Sequence, residues 1–425
     1  MKPGEVRSPE SGPARVIVIG CGIGGITTAL ALAQKGVKAT VYERAQEIRE
    51  VGAGLQVGPN AVRILERLGV TRYLTQAIVL PDRAVMRDIR TGEEVFAIQF
   101  GDQFTKRYGA PYQVMHRGDL LAALVRTAQE TGLVSIVPAK ELIGVEQDAD
   151  TVTATFADGS SALAEVLVGA DGIRSHVRRI LGDNEPPLAS TYAIYRGTFD
   201  RTDDIENAVT LQVGHEHHVM YYPIKAGTMV NLVCSFRSVT DAPGGDAWGA
   251  ITELDDRFAG ANPVVRRAVR QLDRSKRWTQ FDRAPQPGWV QGRIVLTGDA
   301  AHPTHQYFAQ GACQAMEDGI ELAELIANSD DLSDRLQEFE ERRYPRTSAV
   351  QRGSRFWGEW SHVGGAEAVR RDEVLRSVAP DIYRHLDWLY GNDPTAPIPR
   401  IPESRDDYEV IASERAAYDK RVTAS

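Results

Sequence analysis

The chain has 425 residues, 42% of them hydrophobic and 25% charged, with a formal net charge of −9. That suits two packed domains with a sizeable core, and an acidic balance without a basic cluster argues against nucleic acid as a partner. Cys21, Cys234 and Cys313 are the only cysteines; an odd, sparse set without a CxxC pair excludes a disulfide framework or a zinc ribbon and suits a reducing cytoplasm.

Residues 1–13 are polar and carry three prolines, without the apolar stretch of a signal peptide, which again points to a cytoplasmic protein. Residues 15–19 read as a strand, Gly20-Cys21-Gly22-Ile23-Gly24-Gly25 as a turn, residues 26–34 as a helix and residues 38–42 as a second strand with Glu43 at its end. The uncharged run 16–33 is too interrupted by glycine to be a membrane span. Strand, G-x-G-x-x-G turn, helix and an acid about 20 residues on make a dinucleotide fingerprint. In it Gly20 permits the tight turn, Gly22 lets backbone approach a pyrophosphate, Gly25 lets helix and strand pack closely, and Glu43 holds a ribose hydroxyl pair. A glycine-rich structural turn is the alternative.

Further along, Asn60 caps a predicted helix over 61–68, and Asp119 caps another over 120–131, with Arg117 just ahead of it. Strand-like runs cover 142–147, 151–156 and 165–168, with Asp158-Gly159 as a hairpin turn. The last run delivers Asp171 between Ala170 and Gly172. From Tyr192 the pattern becomes short β-rich runs at 192–199, 209–213, 219–223 and 229–236, an antiparallel sheet, followed by a helical stretch at 247–272. Residues 294–296 form a buried strand ended by Gly298 and Asp299. A polar loop with His302, His305, Gln306 and Tyr307 leads to a helix from Gly311-Ala312 to about Asn328. The free N–H groups and partial positive charge of such a helix start favour anions. Two more helices are predicted at 332–344 and 347–360, then a polar tail from Asp393.

His218 and Tyr222 lie four apart, so a strand puts both on one face, with His215 and His217 on the other. One pocket could take both side chains; a satisfied sheet histidine and a packed core tyrosine are the plainer alternatives. Gln306 is either a loop amide bonded to backbone or a pocket amide. No metal site is expected: a strand splits His215, His217 and His218 between two faces, and no acid pattern accompanies His302 and His305. Cys21 and Cys313 stand at helix starts that could lower a thiol pKa, yet a small residue filling a tight place is the favoured reading.

Three motifs in order, Gly20-x-Gly22-x-x-Gly25 with Glu43, Gly169-Ala170-Asp171-Gly172, and Gly298-Asp299-Ala300-Ala301-His302-Pro303, resemble the single-component flavoprotein aromatic monooxygenases. The resemblance implies an α/β fold: a Rossmann-like FAD-binding domain with an inserted substrate domain built on an antiparallel sheet, plus a helical C-terminal segment. The domain boundaries follow as 14–190 and 291–392 for the FAD-binding part, 191–290 for the substrate part and 393–425 for the tail. It implies FAD held by Gly20, Gly22, Gly25, Glu43, Arg44, Arg117, Asp171, Asp299, Gly311 and Ala312. NADH or NADPH would be the electron donor, O2 the oxidant, a small aromatic acid the substrate, and a homodimer the assembly. Within the group, residues 50–59, Tyr108-Gly109-x-Pro111-Tyr112 with His116-Arg117, His218-x-x-x-Tyr222-Pro223, Gln306-Tyr307 and Trp357-Gly358-Glu359-x-x-His362 resemble the branch that turns 3-hydroxybenzoate into gentisate. The catalytic residues implied are His218 as base, Tyr222 and, from the opposite wall, Gln306. Thr304-His305 departs from that branch's pattern. The rival expectations are salicylate or 6-hydroxynicotinate as substrate and, in a different class, a flavin-binding protein without turnover.

Overall fold

The computed structural model describes residues 14–48, 54–238, 252–328 and 331–391. Its first strand, Val16–Ile19, is buried along its whole length. It pairs in parallel with Ala39–Tyr42 on one side and Val166–Gly169 on the other. The six-stranded sheet ends at Val134–Val137 on the first side, and at Ile294–Leu296 with an antiparallel Val290–Gln291 on the second. Uninterrupted apolar strands of this kind require cover on both faces. The helices Ile23–Gln34, Arg117–Glu130 and Gly311–Ala327 and the meander Leu142–Gln147, Val152–Phe156, Ser161–Ala164 supply it, all contributing to one core. The chain leaves Val16–Ile19 toward one flank and later returns on the other, so the sheet has its topological reversal there. Open α/β sheets take ligands outside the carboxyl ends of the strands at such a point.

The second sheet has seven strands, in the order Trp278–Asp282, Leu188–Asp200, Met229–Arg237, His217–Ile224, Ala208–Gly214, Arg83–Asp88, Glu94–Gln99. Its last two members lie in the range expected for the first domain. They join here because Arg83–Asp88 runs parallel to Ala208–Gly214, so the expected boundary at residue 191 is crossed. The helices Glu253–Phe258 and Pro263–Val269 cover one face, where Val219, Tyr221, Leu232 and Phe236 are buried. The other face turns toward the strand pair Gly54–Val57 and Gln113–His116: Asn231 accepts from the Gly54 N–H at 2.6 Å.

Other differences are local. Asn60 does not cap its helix, which starts at Pro59 behind Gly58 and leaves the Asn60 amide for Gln310 and Glu317. His116 caps Arg117–Glu130 through its ring, so Asp119 lies inside the first turn. The two helices expected on either side of Pro345 are one, Leu332–Ser361, with Pro345 inside it. Residues 247–251 of the expected helical stretch, 50–53 of the branch motif and the tail from 393 lie outside the described residues.

Candidate active site

The three glycine motifs stand at the carboxyl ends of three adjacent strands. Ile19 is in register with Gly169, and Gly169 with Leu296, so Gly20, Asp171 and Asp299 emerge along one edge. Gly20 adopts φ +104, and a Cβ there would meet the Ala170 carbonyl oxygen at 2.4 Å. A Cβ on Gly25 would lie 2.0 Å from the Gly20 oxygen. Both glycines are therefore required by the fold itself. Gly22 differs: nothing lies within 4 Å of its hypothetical Cβ, and it faces open space at the start of Ile23–Gln34.

The helix Gly311–Ala327 packs alongside. A Cβ on Gly24 would be 3.0 Å from that of Ala315, and one on Gly319 would be 2.9 Å from the Thr28 nitrogen. Advancing four residues on one helix matches four on the other, so the two run parallel and both N-termini open at the same sheet edge. Asp299 belongs there too, 3.9 Å from a Cβ placed on Gly311. Its carboxylate is accessible to solvent yet ringed by protein, as a group inside a cleft must be, so desolvation raises its pKa while Arg117 and His302 oppose the rise. Glu43 accepts from the backbone N–H groups of Cys21 (2.8 Å) and Ala45 (2.9 Å), which fixes it against the glycine turn. Arg44 is exposed beside it, and Arg117 is half-buried at its helix start. An open glycine, two helix N-termini, a carboxylate in a cleft and a nearby guanidinium fit an FAD with a pyrophosphate and a polar chain.

Asp171 is more committed locally than its motif suggests. Its oxygens accept from Ser175 Oγ (2.5 Å) and the N–H groups of His176 (2.6 Å) and Val177 (3.1 Å), capping the helix His176–Ile180. Arg178 in that helix follows the Asp171 motif in sequence, where nothing assigns it a role. It is buried and donates to the carbonyls of Ala300 (2.7 Å) and Ala301 (2.6 Å), pinning the turn that presents Asp299. The signal available was an arginine close behind a glycine-flanked acid; its target, 122 residues away, was not.

On the second sheet His218 and Tyr222 do share a face, and both are buried. His217 turns to the other side and meets Phe258 edge-on at 5.3 Å. Tyr222 packs where a Cβ on Gly54 would be 2.6 Å from its ring. In register with Tyr222 and His218 on the neighbouring strand are Asn231 and Ser235, both 0% exposed. Among the described residues Asn231 Nδ2 has no hydrogen-bond partner, and Ser235 Oγ has only the Tyr307 hydroxyl near it. Buried polar atoms seldom go unpaired, so this face is shaped for a polar guest. His218 is pushed down to about 3 by burial, with His217 adding to the effect, and is therefore neutral with one ring nitrogen free to accept a proton.

The loop 303–310 differs from expectation. Gln306, placed opposite His218 by the sequence reading, is exposed, and Tyr307 takes the position instead, its ring 5.8 Å from His218 and 5.7 Å from His362. A glycine explains the swap: any Cβ on Gly358 would lie 2.3 Å from the Tyr307 ring, so Gly358 opens the slot that draws Tyr307 inward. His305 points to Asp282, whose Oδ2 is 2.9 Å away but off the line of a hydrogen bond. Burial would raise Asp282; His305 and Arg355 outweigh it and hold it low. His302 serves the fold, within 2.6 Å of Asp318. All three cysteines are buried, and burial pushes Cys21 and Cys313 up to about 12, so neither is a reactive thiol. Among the described residues no group of His, Cys, Asp and Glu could hold a metal ion, and no helix is long and apolar enough to cross a membrane.

The cleft fits an FAD, and the buried face of the second sheet carries a neutral histidine and a tyrosine, parts that suit a flavin-dependent oxygenating enzyme. Residues 13–354 match the family model described as FAD binding domain, and the chain belongs to that family, as an FAD-dependent aromatic monooxygenase. It is 37% identical over 383 residues to a 3-hydroxybenzoate 6-hydroxylase of Polaromonas naphthalenivorans, covering 88% of this chain and 95% of that one. It is also 37% identical over 384 residues to a 3-hydroxybenzoate 6-hydroxylase of Klebsiella oxytoca, covering 89% and 96%. Among solved structures it is similar to Klebsiella pneumoniae HpxO complexed with FAD and uric acid, at TM-score 0.78 and 27% identity over 89% of this chain and 97% of that one.

Proposed function

We propose that the protein hydroxylates 3-hydroxybenzoate para to its hydroxyl group to give gentisate, with a reduced nicotinamide, NADH ahead of NADPH, as donor and O2 as oxidant. The observation that carries the reading is the buried polar face of His218, Tyr222, Asn231 and Ser235, and the names of the two relatives give the substrate. Reduced FAD with O2 supplies an electrophilic oxygen atom when bound. The chain's own part is to hold the ring and raise its electron density. His218 takes the phenol proton on Nε2, since Nδ1 is engaged by His362. Tyr222, its hydroxyl pushed up by burial, stays protonated and donates. Gln306, exposed in its loop, has the lesser part of an amide at the rim, so its loss should move KM more than kcat.

Residues 14–190 and 291–392, less the strands at 83–99, would carry the cofactor, with Gly20, Gly22, Gly25, Glu43, Arg44, Arg117, Asp171, Asp299, Gly311 and Ala312 around it. A homodimer in the cytoplasm is part of the same reading. Val369 and Val374, exposed on the helix Gly365–Val378, offer apolar surface for a second copy.

A substrate panel with product identification tests the reading. 3-Hydroxybenzoate should accelerate NADH consumption with gentisate formed; turnover of salicylate or 6-hydroxynicotinate instead would move the substrate assignment. Peroxide as the sole product with all three would sink it. His218→Ala should slow hydroxylation about 100-fold or more while retaining FAD; loss of the flavin would instead make His218 a structural residue.

A further inference from the structure

His218 is 2% exposed and His362 is 4% exposed. His218 Nδ1 and His362 Nε2 are 2.7 Å apart, a hydrogen bond in which one ring donates and the other accepts. The rings lie 4.9 Å apart and nearly parallel, and Tyr192 stacks on the far face of the pair, 4.6 Å from His362. His362 closes the helix Leu332–Ser361, and its carbonyl accepts from the Glu216 N–H at 2.9 Å, in the turn before the His218 strand. The two imidazoles are thus registered by backbone as well as by side chain. Beyond them lies a cavity whose lining includes Tyr192, Arg237, His305, Tyr307, Glu359 and His362. His218 does not line it. His362 belongs to both places, and its Nδ1 is itself buried with no hydrogen-bond partner among the described residues.

A base this deeply buried meets a second problem once it has taken a proton. An imidazolium enclosed in apolar surroundings is costly unless paired, and among the described residues no carboxylate contacts His218. The charged or titratable groups acting on the pair are His215, His217 and Arg371, none of which stabilises a cation. The proton must therefore leave.

We propose that His362 is the exit for the proton that His218 accepts from a phenolic substrate, delivering it to the cavity beside Tyr192 and Glu359. This rests on His218 acting as the base. As the phenol O–H bond breaks, its electron pair stays on oxygen and the proton bonds to His218 Nε2. The proton on His218 Nδ1 passes along the 2.7 Å bond to His362 Nε2, and His362 Nδ1, buried behind the cavity wall, yields its own to a water admitted from the cavity. Both rings end neutral with their tautomers exchanged. No redox change is involved, so the step belongs to substrate binding and can be observed apart from turnover.

The test uses the FAD-loaded, oxidised protein mixed with 3-hydroxybenzoate without a nicotinamide. Ultraviolet absorbance follows phenolate formation, and an indicator dye follows proton release. In the unaltered protein the two should rise together. His362→Phe keeps a ring between Tyr192 and His218 but carries no proton, and it should slow release about 100-fold with FAD content and benzoate affinity unchanged. His362→Gln still offers His218 a hydrogen bond and should be as slow; if Phe prevents folding, Gln carries the test. Release at the unaltered rate in His362→Gln would overturn the relay, leaving His362 as a spacer. His218→Asn separates the two levels: it should form no phenolate. Normal phenolate in that variant, or no proton release from the unaltered protein, would instead overturn His218 as the base.

Discussion

At the residue scale, glycines in one motif answer to different demands. Gly25 has the Gly20 carbonyl 2.0 Å from where its Cβ would be, whereas Gly22 has nothing within 4 Å and an ordinary extended φ of −74. Gly25→Ala should therefore destabilise the protein with or without flavin, by about 1–3 kcal/mol as for an overpacked core. Gly22→Ala should leave apoprotein stability within about 0.5 kcal/mol of the original but weaken FAD by about tenfold, or 1.4 kcal/mol. Urea denaturation of the apoproteins and fluorescence titration with FAD separate the two. Unchanged FAD affinity in Gly22→Ala would mean that the open space is not the cofactor's approach. The pattern G-x-G-x-x-G was legible because strand, turn and helix follow within twenty residues. The partners of Asp171, by contrast, were open to two readings, since an acid before a short helix can cap it or face a ligand, and here its oxygens go to the cap. Tyr307 and Gln306 exchange parts for a reason held far along the chain, at Gly358.

At the scale of elements, buried charge ties the cofactor-side helix to the long C-terminal helix. Glu317 on Gly311–Ala327 receives Arg343 (2.7 Å) and Arg346 (2.6 Å), with Asn60 at 2.7 Å. Arg346 continues to the carbonyls of Trp388 and Leu389, at the end of the helix Ile382–Tyr390. Burial alone would raise the Glu317 carboxyl, but Arg346 and Arg343 more than reverse that and hold it below the usual range. A carboxyl depressed on folding stabilises fully above its unfolded value, near pH 4.3 for glutamate, and loses that contribution as pH falls further. Glu317→Gln leaves Arg346 without a carboxylate and Arg343 with Asp318 alone, and should cost about 3 kcal/mol at neutral pH. The gap between variant and parent should then narrow below about pH 4.3. Denaturant midpoints at pH 7, 5 and 3.5 check this; a gap independent of pH would mean the loss comes from packing. The same contacts explain why the expected helices 332–344 and 347–360 are one across Pro345. A proline inside a helix removes one backbone bond and clashes with the preceding turn, which reads as a break. Arg343 and Arg346, on either side of it, are gripped by Glu317 and Asp318 and keep the helix continuous.

At the scale of the whole molecule, the cleft proposed for the cofactor is assembled from distant parts of the chain. Gly20, Asp171 and Asp299 reach it from three strands, Arg117 from a fourth element and Gly311 from the parallel helix. The second sheet is fastened across it, by Asn231 on the Gly54 N–H at 2.6 Å and by Lys225 on Asp119 at 2.5 and 2.7 Å. Such long-range pairings are hardest to see in sequence. The strands Arg83–Asp88 and Glu94–Gln99 join the second sheet through a partner more than a hundred residues away, and no local pattern announces it. A ligand that binds only where all these parts meet stabilises the assembled state as a whole. FAD at 100 times its dissociation constant should add about 2.7 kcal/mol to the unfolding free energy of the apoprotein. Because the two sheets share the seam beside the cleft, they should gain it together. Far-ultraviolet circular dichroism and the summed fluorescence of the six tryptophans, among them Trp289 by the first sheet and Trp278 in the second, should give one coincident thermal transition that moves upward with FAD. Two transitions, of which FAD shifts only one, would mean that the second sheet folds independently of the cleft, and that the Asn231 and Lys225 contacts dock it without coupling it to the flavin.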